Sequence, residues 1–175
     1  MIRQLFWRNK SEPRYVICLS CLTRIRLIPM NYATRQLRFG WWALTIYVAL
    51  GIGLEMMHGF KIGWYLDAGN ETRRFMFTLG HFHGTMLALV NIAAGLTSRS
   101  MPGFRLRYSV SYALLWAAIL LPGGFFLGGL GTYDGDPGSG IWLVPIGALL
   151  MFYGAGRAAF DFSRRPNDSG RARGK

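Results

Sequence analysis

Carboxylates are scarce in this chain: 8 Asp and Glu stand against 20 Lys and Arg, with 3 His and 2 Cys among 175 residues. Several chemistries fall away at once. A carboxylate-bridged di-iron bundle needs Glu-x-x-His twice, plus two further carboxylates from other helices. Here that spacing occurs once, at Glu55 and His58, and the last two apolar stretches carry no interior Glu. The two cysteines form a lone C-x-x-C, Cys18 and Cys21. A structural zinc site wants four ligands, and a thioredoxin-like motif wants a βαβ context, so these read as reduced thiols. Polar sequence is too short for a second globular domain. Val16 to Leu22 is too short to span a bilayer and is followed by Arg24 and Arg26, so it is not expected to be a signal peptide. No nucleic-acid module surrounds the net charge of +12, so nucleic acid is not an expected partner.

What the chain does have is four long apolar stretches, Phe39 to Phe60, Phe75 to Ser98, Tyr108 to Leu130 and Ile141 to Phe160. Each matches the ~20 residues a helix needs to cross the bilayer hydrocarbon. The expected fold is all-α, an integral membrane four-helix bundle over residues 39–160. All the Lys and Arg except Lys61, Arg73 and Arg74 fall on one side of these stretches. Short basic loops stay cytoplasmic, so both termini are expected inside, with anionic lipid headgroups as partners there. A bacterial inner membrane is the expected location.

Residues 1–38 read as a basic, disordered N-terminal segment, and 161–175 as a basic, disordered tail. Met30 opens a sequence that runs straight into the first span, so residues 1–29 are expected to lie upstream of the true translation start.

The spans have distinct faces. Tyr47, Gly51, Glu55 and His58 recur at helical spacing in the first. Glu55 exposed to lipid is costly, so Glu55 and His58 should point into the bundle or to its outer mouth. In the second span Gly80, Gly84, Leu87, Asn91 and Gly95 form a stripe suited to close helix packing. His81 and His83 flank it on opposite sides, because neighbours two apart lie about 200° apart on a helix. A regular helix therefore cannot aim both at one metal. In the third span Pro122 requires neighbours to satisfy the backbone it frees, and Gly124 and Gly128 serve packing. Gly147 and Gly154 share a face of the fourth.

Counted from the outer ends, Glu55, His58, His81 and His83 form a candidate ligand- or proton-binding cluster at the outer side. Tyr65, Asp67, Asn70 and Glu71 adjoin it, with Trp64 as an interfacial anchor. The loop Gly131 to Gly140 resembles part of a calcium loop but lacks the far bidentate Glu, so it reads as a flexible turn.

Leu54 to Lys61, with His58-Gly59-Phe60-Lys61, together with His83 ahead of Met86-Leu87-Ala88-Leu89 and Val144-Pro145-Ile146-Gly147, resembles the small YgdD-like four-span membrane proteins of unknown function. The resemblance covers residues 39–160 and implies the same four-span fold. It implies no reaction, and His81 and Glu55 have no counterpart in it.

Two functions of different kind follow. The first is a non-enzymatic accessory or assembly component whose glycine faces pack helices within the chain, against a membrane partner or in a homo-oligomer. The second is a redox protein holding haem or a transition metal on Glu55, His58, His81 and His83, for instance a haem between His58 and a histidine of the second span. A proton-linked transporter using Glu55 and His58 is a weaker third.

Overall fold

The computed structural model describes residues 32–67, 71–101 and 104–164. From Tyr32 the chain meets no proline for a full span, and helix α1 runs Tyr32–Gly59. It closes in a Schellman arrangement: the Ile62 N–H donates to the Met57 carbonyl (3.0 Å) and the Lys61 N–H to that of His58 (3.2 Å). Helix α2 spans Glu71–Ser100 and α3 spans Tyr108–Leu130. A 3-10 turn, Ser139–Trp142, leads into α4, Leu143–Ser163. All four helices are long and apolar enough to cross a membrane.

Residues 32–38, expected to be disordered, are instead the first turns of α1. Ala33 and Gln36 are buried there, and this tertiary packing holds a segment that lies outside the apolar window. The expected tail likewise begins later, because α4 continues to Ser163. The expectations for the translation start, for Cys18 and Cys21, for Asn70 and for the rest of the tail lie outside the described residues.

The helices pack antiparallel in chain order, α1 on α2, α2 on α3 and α3 on α4, with a short approach between α1 and α3. Among the described residues α4 makes no close backbone approach to α1 or α2, so the bundle is open along one side. The seams are built from glycine holes and side-chain knobs. On α1 and α2, Gly40 faces Ile92, Gly51 faces His81, Gly84 faces the Tyr47 ring and Gly95 faces Leu37. Between α2 and α3, Gly80 faces Phe126 and Gly129 faces Phe77. Between α3 and α4, Gly124 meets Val144, Gly147 meets the Leu121 backbone and Gly154 meets Leu114. A methyl group at Gly128 would meet Ile141 at ordinary van der Waals distance. Without a hydrophobic driving force between helices in lipid, such close van der Waals packing carries the association.

Among the described residues three apolar clusters fill the interior. Phe104, Leu106, Val110 and Leu114 close the end that holds the start of α1 and the finish of α4, called the basic end below. Leu87, Ala118 and Leu121 occupy the middle, and Leu54, Tyr65 and Phe77 the far end. The outside is apolar as well, with Trp42, Leu149 and Phe152 at 71%, 69% and 80% exposure. A lipid-facing surface requires this.

Among the described residues one polar group sits wholly inside. Gln36, Asn91 and Ser111, from α1, α2 and α3, are each fully buried. Gln36 Nε2 donates to Asn91 Oδ1 (2.8 Å) and to the Ser111 carbonyl (3.3 Å), and Ser111 Oγ donates to Gln36 Oε1 (3.1 Å). Asn91 Nδ2 donates to the carbonyls of Leu87 (2.8 Å) and Leu114 (3.2 Å). Because every member is satisfied, the network fastens three helices without an orphan.

Candidate functional site

At the far end a cleft of about 650 Å³ opens between α1, the start of α2 and the loop joining them. The last two turns of α1 place Glu55 and His58 on its wall, α2 contributes His81, Glu71 and Arg74, and Tyr65 closes it from the loop. Three of the four residues expected to cluster therefore share one cavity. Glu55 and His58 are exposed within it, at the mouth of the bundle rather than in its interior. Neither forms a hydrogen bond or ion pair among the described residues, so the one-turn Glu55 to His58 contact that the spacing allows is not made. Glu71 and Arg74 stand 3.9 Å apart at the rim, Glu71 exposed and Arg74 half-buried. Such a surface pair contributes little to stability.

His81 is held more firmly. Its Nδ1 lies 2.8 Å from the Tyr47 carbonyl, which can only accept, so Nδ1 carries the proton and donates. Nε2 has no partner among the described residues. The ring fits against α1 because residue 51 is glycine; a methyl group there would overlap the imidazole. The helix geometry that aims His81 at the cleft turns His83 away from it. His83 Nδ1 donates to the Leu79 carbonyl one turn back (2.8 Å), and its ring stacks on Phe125 of α3 with centroids 5.0 Å apart. The sequence expectation that the two histidines diverge is what the helix geometry produces, and it removes His83 from the cluster.

A haem or metal was one expectation for these residues. Among the described residues no three His, Cys, Asp or Glu side chains converge closely enough to hold a metal ion. The cleft instead presents separate groups: two carboxylates, Glu55 and Glu71, two imidazoles, His58 and His81, and one guanidinium, Arg74. This set suits a small polar ligand bearing both donors and acceptors better than a bare cation.

Several residues that organise the site carry no sequence signal of their own. Arg73 clamps the far end: Nη1 donates to the Trp64 carbonyl (2.8 Å), Nη2 to Thr132 Oγ1 (3.1 Å), and the guanidinium lies over the Trp64 ring. Thr72 Oγ1 donates to the Gly135 carbonyl at 2.5 Å. These tie both far-end loops to the first turn of α2. The loop expected to be a flexible turn is a two-residue hairpin. Tyr133 and Asp136 exchange backbone hydrogen bonds of 3.1 and 2.8 Å around Asp134 and Gly135, whose φ values are 51° and 87°. Asp-Gly is the pair that accepts positive φ at both central positions, which explains the structure without a calcium ion.

Compared with known protein families, curated proteins and solved structures, the chain matches none of them.

Proposed function

We propose that this chain is a small integral membrane protein of a bacterial inner membrane, with both termini cytoplasmic, that serves as an accessory or assembly component beside other membrane helices. The observation that carries the reading is the openness of the bundle. The rim helices leave much of their surface uncovered: α1 packs on α2 and briefly on α3, and in α4 only Gly147 and Gly154 are buried. Ridges of Leu149, Phe152 and Phe160 on α4 remain outward. An apolar groove of about 530 Å³ runs beside α1 and α3, lined by residues such as Ile46, Leu50, Met57, Phe126 and Leu130. Helices of a partner, or of a second copy, fit such faces through packing alone. The resemblance to YgdD-like proteins rests on the motif residues and adds the four-span plan.

The test is a photo-crosslinking residue placed at Phe152 in native membranes. A discrete adduct with another polypeptide, or with a second copy, is the expected product. Lipid adducts alone would remove the reading.

A second reading is favoured by one specific observation, the gathering of Glu55, His58 and His81 in one cleft. On it, the protein binds a small ligand, including haem or a transition metal recruited with further donors. An absorption spectrum and metal analysis of protein purified from a haem-replete host decide it for those cofactors: a Soret band or stoichiometric metal, lost in His81→Ala, supports it. Colourless, metal-free protein removes the redox version.

A further inference from the structure

At the basic end one cation stands out from its neighbours. Arg35 lies in the first turn of α1, folded inward rather than into solvent. Its Nη2 donates to Ser111 Oγ at 2.6 Å, which attaches it to the buried Gln36, Asn91 and Ser111 network. Its guanidinium sits 3.9 Å from the centre of the Tyr112 ring and 5.1 Å from that of Tyr32. Tyr108 completes a collar, edge-on to Tyr32 at 6.1 Å and against Tyr112 at 4.4 Å. The Nε atom is buried without a hydrogen bond, and Nη1 has none either among the described residues.

Among the described residues no carboxylate balances this charge. The ion pairs among the described residues are Arg74 with Glu71 and Arg157 with Asp161, and neither involves Arg35. A partly desolvated guanidinium without an anion is an unfinished site: charge-assisted, bidentate pairing with an oxyanion is the geometry it is built for. The hydroxyls of Tyr32, Tyr108 and Tyr112 are likewise unbonded among the described residues and add donors around it. Arg38 and Arg107, both exposed, raise the local potential without contacting the collar.

Depth identifies what the anion is. The 28 residues of α1 rise about 42 Å at ~1.5 Å each, whereas the hydrocarbon core is about 30 Å thick. The surplus at the basic end places Arg35 at the level of lipid phosphates, where tyrosine is at home. We propose that Arg35 and the Tyr32, Tyr108, Tyr112 collar form a phosphate-binding site occupied by the headgroup of an anionic phospholipid. The lipid completes the electrostatics of the buried network and seats its acyl chains along α1 and α3. This rests on the membrane placement of the helices and not on the accessory role, so either can fail without the other.

The experiment is native mass spectrometry of the full chain, delipidated in neutral detergent and titrated with phosphatidylglycerol or phosphatidylcholine. One phosphatidylglycerol should bind with about tenfold preference, the factor expected of one charge-assisted pairing. Arg35→Gln should abolish that preference. Tyr108→Phe, which keeps the ring packing, should weaken it several-fold and carries the test if Arg35→Gln does not fold. Arg157→Gln, at the same end but already paired with Asp161, should leave it unchanged. Equal binding of both lipids, a preference that survives both Arg35→Gln and Tyr108→Phe, or equal loss in Arg157→Gln would each overturn the proposal. Full displacement of the lipid by equimolar inorganic phosphate would also overturn it, marking a free-anion site instead.

Discussion

Lys61 sits with φ at 52°, in the position of the α1 terminus where glycine is usual. A Cβ there costs about 1 kcal/mol, so Lys61→Gly is expected to stabilise the protein by roughly that amount, read as a raised midpoint of thermal unfolding in detergent. The charge is not needed for the closure, since both bonds are backbone to backbone. Glycines divide in the opposite direction by what a methyl would meet. At Gly147 it would lie 2.5 Å from the Leu121 backbone nitrogen, which cannot move aside, whereas at Gly156 nothing lies within 4 Å. Gly147→Ala should therefore destabilise by about 2 kcal/mol or more through overpacking. Gly156→Ala should be neutral or stabilising by up to about 1 kcal/mol from helix propensity. The same unfolding measurement separates them, and equal effects would show that α3 and α4 are not seated as described. Both glycines look alike in the sequence; only the facing helix tells them apart.

At the scale of helices, Pro122 inside α3 has no N–H to give to the Ala118 carbonyl one turn earlier. The Tyr47 hydroxyl of α1 supplies it, at 2.8 Å. The sequence required some neighbour to satisfy that carbonyl, yet could not name Tyr47, because a backbone acceptor leaves no mark in residue identity. Tyr47→Phe should cost about 1 to 2 kcal/mol by orphaning a buried carbonyl. In a Pro122→Ala background the helix restores its own donor, so the same substitution should cost close to nothing. A double-mutant cycle on unfolding free energies reads this coupling, and additive costs would separate the two residues. Tyr47 also presents its ring to Gly84 and its carbonyl to His81, so one side chain and its peptide fix α1 against both α2 and α3.

For the whole molecule, the polar network and the glycine seams divide the labour. Gln36, Asn91 and Ser111 bind α1, α2 and α3 into one unit, whereas α4 joins through the seam on α3, supplemented at its surface by Tyr153 Oη donating to Ser109 Oγ at 3.1 Å. Asn91→Ala removes three hydrogen bonds from the centre and leaves Gln36 Nε2 with the longer bond to the Ser111 carbonyl. A loss of about 1 to 3 kcal/mol is expected, with accelerated hydrogen exchange in the paired turns of α1 and α3. An unchanged exchange pattern would mean that apolar packing alone holds the three helices.

The four spans and their apolar character, the helical class and the divergence of His81 from His83 were determined by the sequence itself. Hydrocarbon thickness, helical pitch and the cost of unpaired backbone in lipid act on any chain with this pattern. What only the tertiary structure decided is which polar atoms meet. Gln36 and Ser111 lie far apart in the chain and look unremarkable in composition, yet helix packing drives them together with Asn91. The same packing leaves Glu55, His58 and His81 around one cleft, sends His83 to Phe125, and folds Arg35 among three tyrosines instead of leaving it among the exposed cations. A periodic pattern specifies a face of each helix; it takes the register between helices to specify the partner.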